Sequence, residues 1–72
     1  NRHLAGKTFY WNGHRWIDAA TRTLKDAKPI RIKFTSAEYF ALATKDPAIS
    51  KWLALGPKLT FTFGQKLYEI DE

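Results

Sequence analysis

Lys7-Thr-Phe-Tyr-Trp-Asn-Gly-His-Arg-Trp-Ile-Asp18 decides how this chain begins to fold. Two β-forming runs flank Asn12-Gly13, the dipeptide best suited to a two-residue type I′ turn, where both central residues need positive φ. That turn predicts a register in which Trp11 faces His14, Tyr10 faces Arg15, Phe9 faces Trp16 and Thr8 faces Ile17. Lys7 then faces Asp18 as an opposite-charge cross-strand pair. Phe9, Trp11 and Trp16 share one face with His14, while Thr8, Tyr10, Arg15 and Ile17 share the other.

Moving towards the C-terminus, residues 19–28 show no clean period and read as a connection, with Leu24 pinning it to the core. Pro29 opens a strand in which Ile30, Ile32 and Phe34 alternate with Arg31 and Lys33. Thr35-Ser-Ala-Glu38 has the spacing of a capping box, predicting a helix over about 36–45 that buries Tyr39, Phe40, Leu42 and Ala43. Asp46 as N-cap and Pro47 at the first helical position start a second helix. Its apolar stripe is Ile49, Trp52 and Leu53, and Gly56 is its expected left-handed cap. Lys58–Phe63, Gly64-Gln65 and Lys66–Asp71 form a second hairpin, with Gly64 suited to a type II′ turn. In it Phe61 faces Tyr68 and Leu59 faces Ile70. Leu59, Phe61, Phe63, Tyr68 and Ile70 make an apolar face, opposite Thr60, Thr62, Leu67 and Glu69.

The order is ββ-β-αα-ββ. Strands and helices are segregated, so the class is α+β: two antiparallel hairpins plus a central strand, about five strands in all, with a helical hairpin on one face of the sheet. The 72 residues make one small domain, read as cut from a longer protein because it contains no methionine. It also lacks cysteine, which removes disulfides, thiolate metal sites and cysteine nucleophiles. Eleven aromatics supply the bulk that a core without cross-links needs. No apolar run approaches the roughly 18 residues of a membrane span.

Twelve Lys and Arg against seven Asp and Glu give a net charge of +5. Three of the acids lie in the last four residues, so residues 1–68 carry twelve cations and four anions, a net +8. The balance raises a nucleic-acid-binding alternative. The cations are spread singly, however, and neither the aromatic ribonucleoprotein signature nor a zinc-finger spacing occurs. Trp11 and Trp16 share the face of Phe9 and read as core rather than as a stacking platform.

Catalytic chemistry finds no foothold. The two histidines, His3 and His14, are too few for a metal site, and His14 is placed against Trp11. Ser36 and Ser50 have no base at a telling spacing. Asp18, Glu38 and Asp46 have structural positions as a cross-strand partner, a capping-box member and an N-cap. Gly13, Gly56 and Gly64 are taken by turns and a cap, so no phosphate-binding loop remains. The reading is a chain that is not an enzyme, with no catalytic, cofactor or metal residues. The residues left for a partner surface are Tyr10 and Arg15 on the polar face of the first hairpin, and Arg31 and Lys33 on the third strand.

Gly6-Lys-Thr-Phe9, Trp16-Ile-Asp18, Ile32-Lys-Phe34-Thr-Ser36 with Tyr39-Phe40-Ala41-Leu42, and Asp46-Pro47 with Ile49 and Trp52-Leu53-Ala54-Leu55-Gly56 form a recognisable set together with Gly64, Lys66 and Tyr68-Glu69-Ile70. The set resembles the small C-terminal region of bacterial proteins that carry a VIT domain and a von Willebrand factor A domain and look like inter-alpha-trypsin-inhibitor heavy chains. The resemblance covers nearly the whole chain. It implies an accessory domain of a cell-envelope or extracellular protein, whose partner is another domain of the parent chain or another protein. The metal motif of the von Willebrand domain, Asp-x-Ser-x-Ser, is absent here, so no ligand set carries over.

Overall fold

The computed structural model describes residues 1–72. Six strands form one mixed sheet. They are β1 (Arg2–Leu4), β2 (Lys7–Trp11), β3 (Trp16–Asp18), β4 (Ile30–Lys33), β5 (Leu59–Phe63) and β6 (Lys66–Asp71). A 3₁₀ helix, Ala19–Leu24, follows β3, and α1 (Ala37–Ala43) and α2 (Pro47–Leu53) lie between β4 and β5. The α+β class and the order of elements stand, with β1 added at the N-terminus.

The spatial order is β1-β2-β3-β5-β6-β4. Each hairpin is antiparallel, but the hairpins join through a parallel β3–β5 pair, and β4 runs parallel to β6 at the sheet edge. The strand between the hairpins in sequence is thus the last in space. The connection through the 3₁₀ helix starts and finishes at one end of the sheet. The α1–α2 connection starts and finishes at the other.

β1 exists because Ala5 and Gly6 both take positive φ, +46° and +83°, making the two-residue turn that pairs Leu4 with Lys7. The Trp52 indole N–H donates to the Leu4 carbonyl at 2.8 Å and fastens this strand to α2.

The first hairpin corrects the expected register. Trp11 pairs with Trp16, Tyr10 with Ile17 and Phe9 with Asp18, leaving a four-residue loop, residues 12–15. Asn12 Oδ1 accepts the amides of His14 and Arg15 at 2.9 and 2.8 Å, and the Asn12 amide donates to the Arg15 carbonyl. This Asx-type loop replaces the tight turn. It frees Arg15 to reach across β5 and β6, and it lets the Trp16 amide donate to Lys58 at the start of the β3–β5 pair. The slip is two residues, an even number, so every side chain keeps its predicted face.

The second hairpin has the predicted register, Phe61 opposite Tyr68 and Leu59 opposite Ile70. Its turn is different: Gly64 and Gln65 have φ of +58° and +65°, which is the type I′ requirement, not type II′.

At α1 the cap is Ser36, not Thr35. Ser36 Oγ accepts the Tyr39 amide, while the Thr35 hydroxyl turns back to the Phe34 carbonyl and Thr35 itself takes φ +63°. Phe34, just before the cap, meets Tyr39 edge-on at 5.2 Å. Asp46 caps α2 through the Ala48 amide, as predicted. Its C-cap is Ala54, with Gly56 two residues further on at φ +141°.

The core is one cluster of Phe9, Ile32, Leu42, Ile49, Trp52, Leu53, Leu59, Phe61, Tyr68 and Ile70. Phe40, expected inside, is 56% exposed because the short α1 turns only Leu42 fully inwards.

Candidate functional site

The sheet register aligns side chains into transverse rows. On the face covered by the helices, Trp11, Trp16, Leu59, Ile70 and Ile32 form one row across β2, β3, β5, β6 and β4. On the other face, Tyr10, Ile17, Thr60, Glu69 and Arg31 form the matching row. All four predicted surface residues therefore come to this second face, for Arg15 binds into it and Lys33 follows Arg31 by two positions.

The four are not equivalent. Arg15 is half-buried: its guanidinium donates to Thr60 Oγ1 and the Ile70 carbonyl, each at 3.2 Å, and pairs with Asp71 at 2.6 Å. It braces β5 to β6 and leaves little for a partner. Tyr10 is half-buried. Arg31 meets Glu69 at 3.2 Å but keeps 79% of its side chain in solvent. Lys33 is exposed and forms no ion pair. Pairing with Asp71 and Glu69 thus offsets the charges of Arg15 and Arg31 locally, and of these three cations only Lys33 is without an acidic partner.

Trp11 marks a surface the sequence reading placed inside. It lies on the core face, as alternation requires, yet is 53% exposed because it stands at the end of its row. Its neighbour is Trp16, edge-on at 5.6 Å, not His14, which is exposed. Leu55, Gly56, Pro57, Lys58 and Glu72 complete a groove of about 270 Å³ around the two indoles. The only trace in the sequence is that Trp11 is the last residue before the turn; that the helices stop short of this strand end is a tertiary feature.

At the opposite end of the sheet is a polar cluster. Lys7 Nζ pairs with Asp18 Oδ2 at 2.7 Å, donates to Thr62 Oγ1 at 2.9 Å and lies 5.0 Å from the Trp52 ring centroid. Asp18 also accepts the Thr62 amide and hydroxyl and the Ala20 amide. Burial pushes its carboxyl up, but Lys7, the two amides and the hydroxyl outweigh this and hold its pKa below 3.8. Thr62, assigned by alternation to the solvated face, is buried here. Lys7, Thr62 and Trp52 line a cleft of about 370 Å³ between the Ala5-Gly6 and Gly64-Gln65 turns and Thr23-Leu24. Both carboxylate oxygens of Asp18 are already engaged within the chain, so the arrangement ties the strand β3 to β5 where their ladder ends. Burial likewise raises the pKa of Tyr39 above 10.0.

His3 Nδ1 lies 2.9 Å from Thr8 Oγ1 at the exposed edge, and no three His, Asp or Glu side chains gather where they could share a cation. No helix is long and apolar enough to cross a membrane. Neither protein-family models nor curated proteins nor solved structures contain a match to this chain.

Proposed function

We propose that this chain is a non-catalytic interaction module, an accessory domain that docks onto another part of its parent chain or onto another protein. The observation that carries the reading is Trp11, a large indole left 53% exposed beside Trp16 in a groove walled by Leu55, Gly56 and Pro57. A 72-residue domain has little core to draw on. Aromatic side chains gathered at the surface of so small a domain are the usual anchors of protein interfaces. The proposal extends to a setting, the C-terminal end of an envelope or secreted protein of the von Willebrand factor A type, which rests on the resemblance of its motifs alone.

The test is recovery of the remainder of the parent protein on the immobilised 72-residue chain, wild type beside Trp11→Ala. Loss of recovery in a variant that melts like wild type supports docking through this groove. Equal recovery rejects the groove, and hydrolytic turnover or stoichiometric metal uptake by the wild type rejects the non-catalytic reading.

A further inference from the structure

The edge strand β4 offers a second surface, separated by three strands from β2 and its Trp11. Its inner neighbour is β6, paired in parallel as Ile30–Tyr68, Arg31–Glu69, Ile32–Ile70 and Lys33–Asp71. Apolar residues meet on the core face and cation meets anion on the other. The outer side of β4 carries the same alternation with no strand beside it.

The Phe34 amide donates inwards to the Asp71 carbonyl. In a parallel ladder the N–H and C=O of one residue point the same way and alternate along the strand. Arg31 and Lys33 therefore direct theirs outwards. The Lys33 carbonyl is taken by the Ser36 amide, leaving the Arg31 N–H and C=O and the Lys33 N–H without a strand partner.

Side chains frame this short ladder on both faces. On the core face Ile30 is 40% exposed, and beside it a groove of about 200 Å³ is lined by Ile32, Ala41, Leu42 and Tyr68, with Glu38 and Lys45 at its rim. On the opposite face stand Arg31 and the unpaired Lys33, with Asp71 held away by Arg15. A second copy of β4 does not fit this edge. Antiparallel self-pairing sets Arg31 and Lys33 against their own kind, and like charges directly opposite are unfavourable.

We infer that β4 accepts an added strand from a protein partner, an extended segment in which apolar and acidic residues alternate. Its apolar side chains enter the groove between β4 and α1, its carboxylates meet Arg31 and Lys33, and its backbone completes the ladder. This goes beyond docking through the Trp11 groove and uses different residues.

The probe is a capped eight-residue peptide alternating Val and Glu, with a Val–Lys peptide as its control. The readout is amide exchange followed by NMR on the 72-residue chain. Added Val–Glu peptide is expected to slow exchange at Arg31 and Lys33 at least tenfold, leaving Trp11 and Trp16 unmoved, and Val–Lys peptide to do neither. Arg31→Glu with Lys33→Glu should reverse the preference between the two peptides. If that variant does not fold, the exchange result on wild type stands as the test. Unchanged exchange at Arg31 and Lys33, an equal response to both peptides, or protection that grows with protein concentration in the absence of peptide would overturn the inference. The last of these identifies self-pairing. The Trp11→Ala experiment is independent, so either surface can fail alone.

Discussion

Lys7 and Asp18 form their ion pair diagonally across the first hairpin: Nζ lies 2.7 Å from Oδ2 although the residue opposite Asp18 is Phe9. The long lysine stem spans the offset, and its ammonium stands over the Trp52 ring, 5.0 Å from the centroid. Asp18 is 1% exposed and Lys7 17% exposed, so the pair is largely out of water.

Removing one partner leaves the other in a low-dielectric site. Lys7→Met or Asp18→Asn should destabilise by about 3 kcal/mol, the low end for a buried pair because Lys7 retains some solvent. Urea melts at neutral pH would measure this. A change under about 0.5 kcal/mol, the usual size for a surface site, would contradict the burial.

The same carboxylate sets an acid limb. Its folded pKa is below the reference value, so the folded state resists protonation more than the unfolded chain does. That contribution is complete above about pH 5 and is lost as pH falls through the unfolded value towards the folded one. Stability measured from pH 7 to pH 2.5 should decline below about pH 4, and Asp18→Asn should flatten that decline.

Asn12 holds the four-residue loop through two amide bonds, and Gly13 has φ +97°. Asn12→Ala should cost about 1 kcal/mol, as for the loss of a cap, and Gly13→Val somewhat more than 1 kcal/mol. Cross-strand NOEs between Trp11 and Trp16 would check the register directly; NOEs from Phe9 to Trp16 as opposite residues would restore the two-residue turn.

Ser36 and Thr35 now make opposite predictions. Ser36→Ala should destabilise by about 1 kcal/mol through loss of the Tyr39 amide bond. Thr35→Gly should stabilise, by up to about 1 kcal/mol, because a β-branched residue at φ +63° is strained. If Thr35 were the cap, Thr35→Gly would bring no gain.

Trp52 and Trp11 separate core from surface. Trp52 touches Phe9, Phe61 and Phe63 and anchors β1, so Trp52→Ala should cost about 3–5 kcal/mol, enough to unfold a domain of this size. Trp11→Ala should move the melting temperature by no more than a few degrees, as about 1 kcal/mol does in a small domain. Thermal melts of the two variants side by side would check both.

Local chemistry by itself determined the class, the element order, the second hairpin's register and the cap of α2, because each rests on neighbours in sequence: alternation in Leu59–Phe63 and Lys66–Asp71, and Asp46-Pro47 before Ile49, Trp52 and Leu53. It also assigned the first hairpin's faces correctly despite the wrong turn, since a two-residue slip leaves the pleat in phase. Tertiary structure decided what depends on residues far apart in the chain. The four-residue loop prevails over an ideal Asn-Gly turn because Arg15 finds Thr60, Ile70 and Asp71. β1 carries no alternation of its own and forms through its pairing with β2 and the Trp52 indole. Thr62 is buried because Lys7 and Asp18 converge on it from another hairpin. The exposure of Trp11 follows from how far the helices extend over the sheet, a length that no periodicity within β2 can encode.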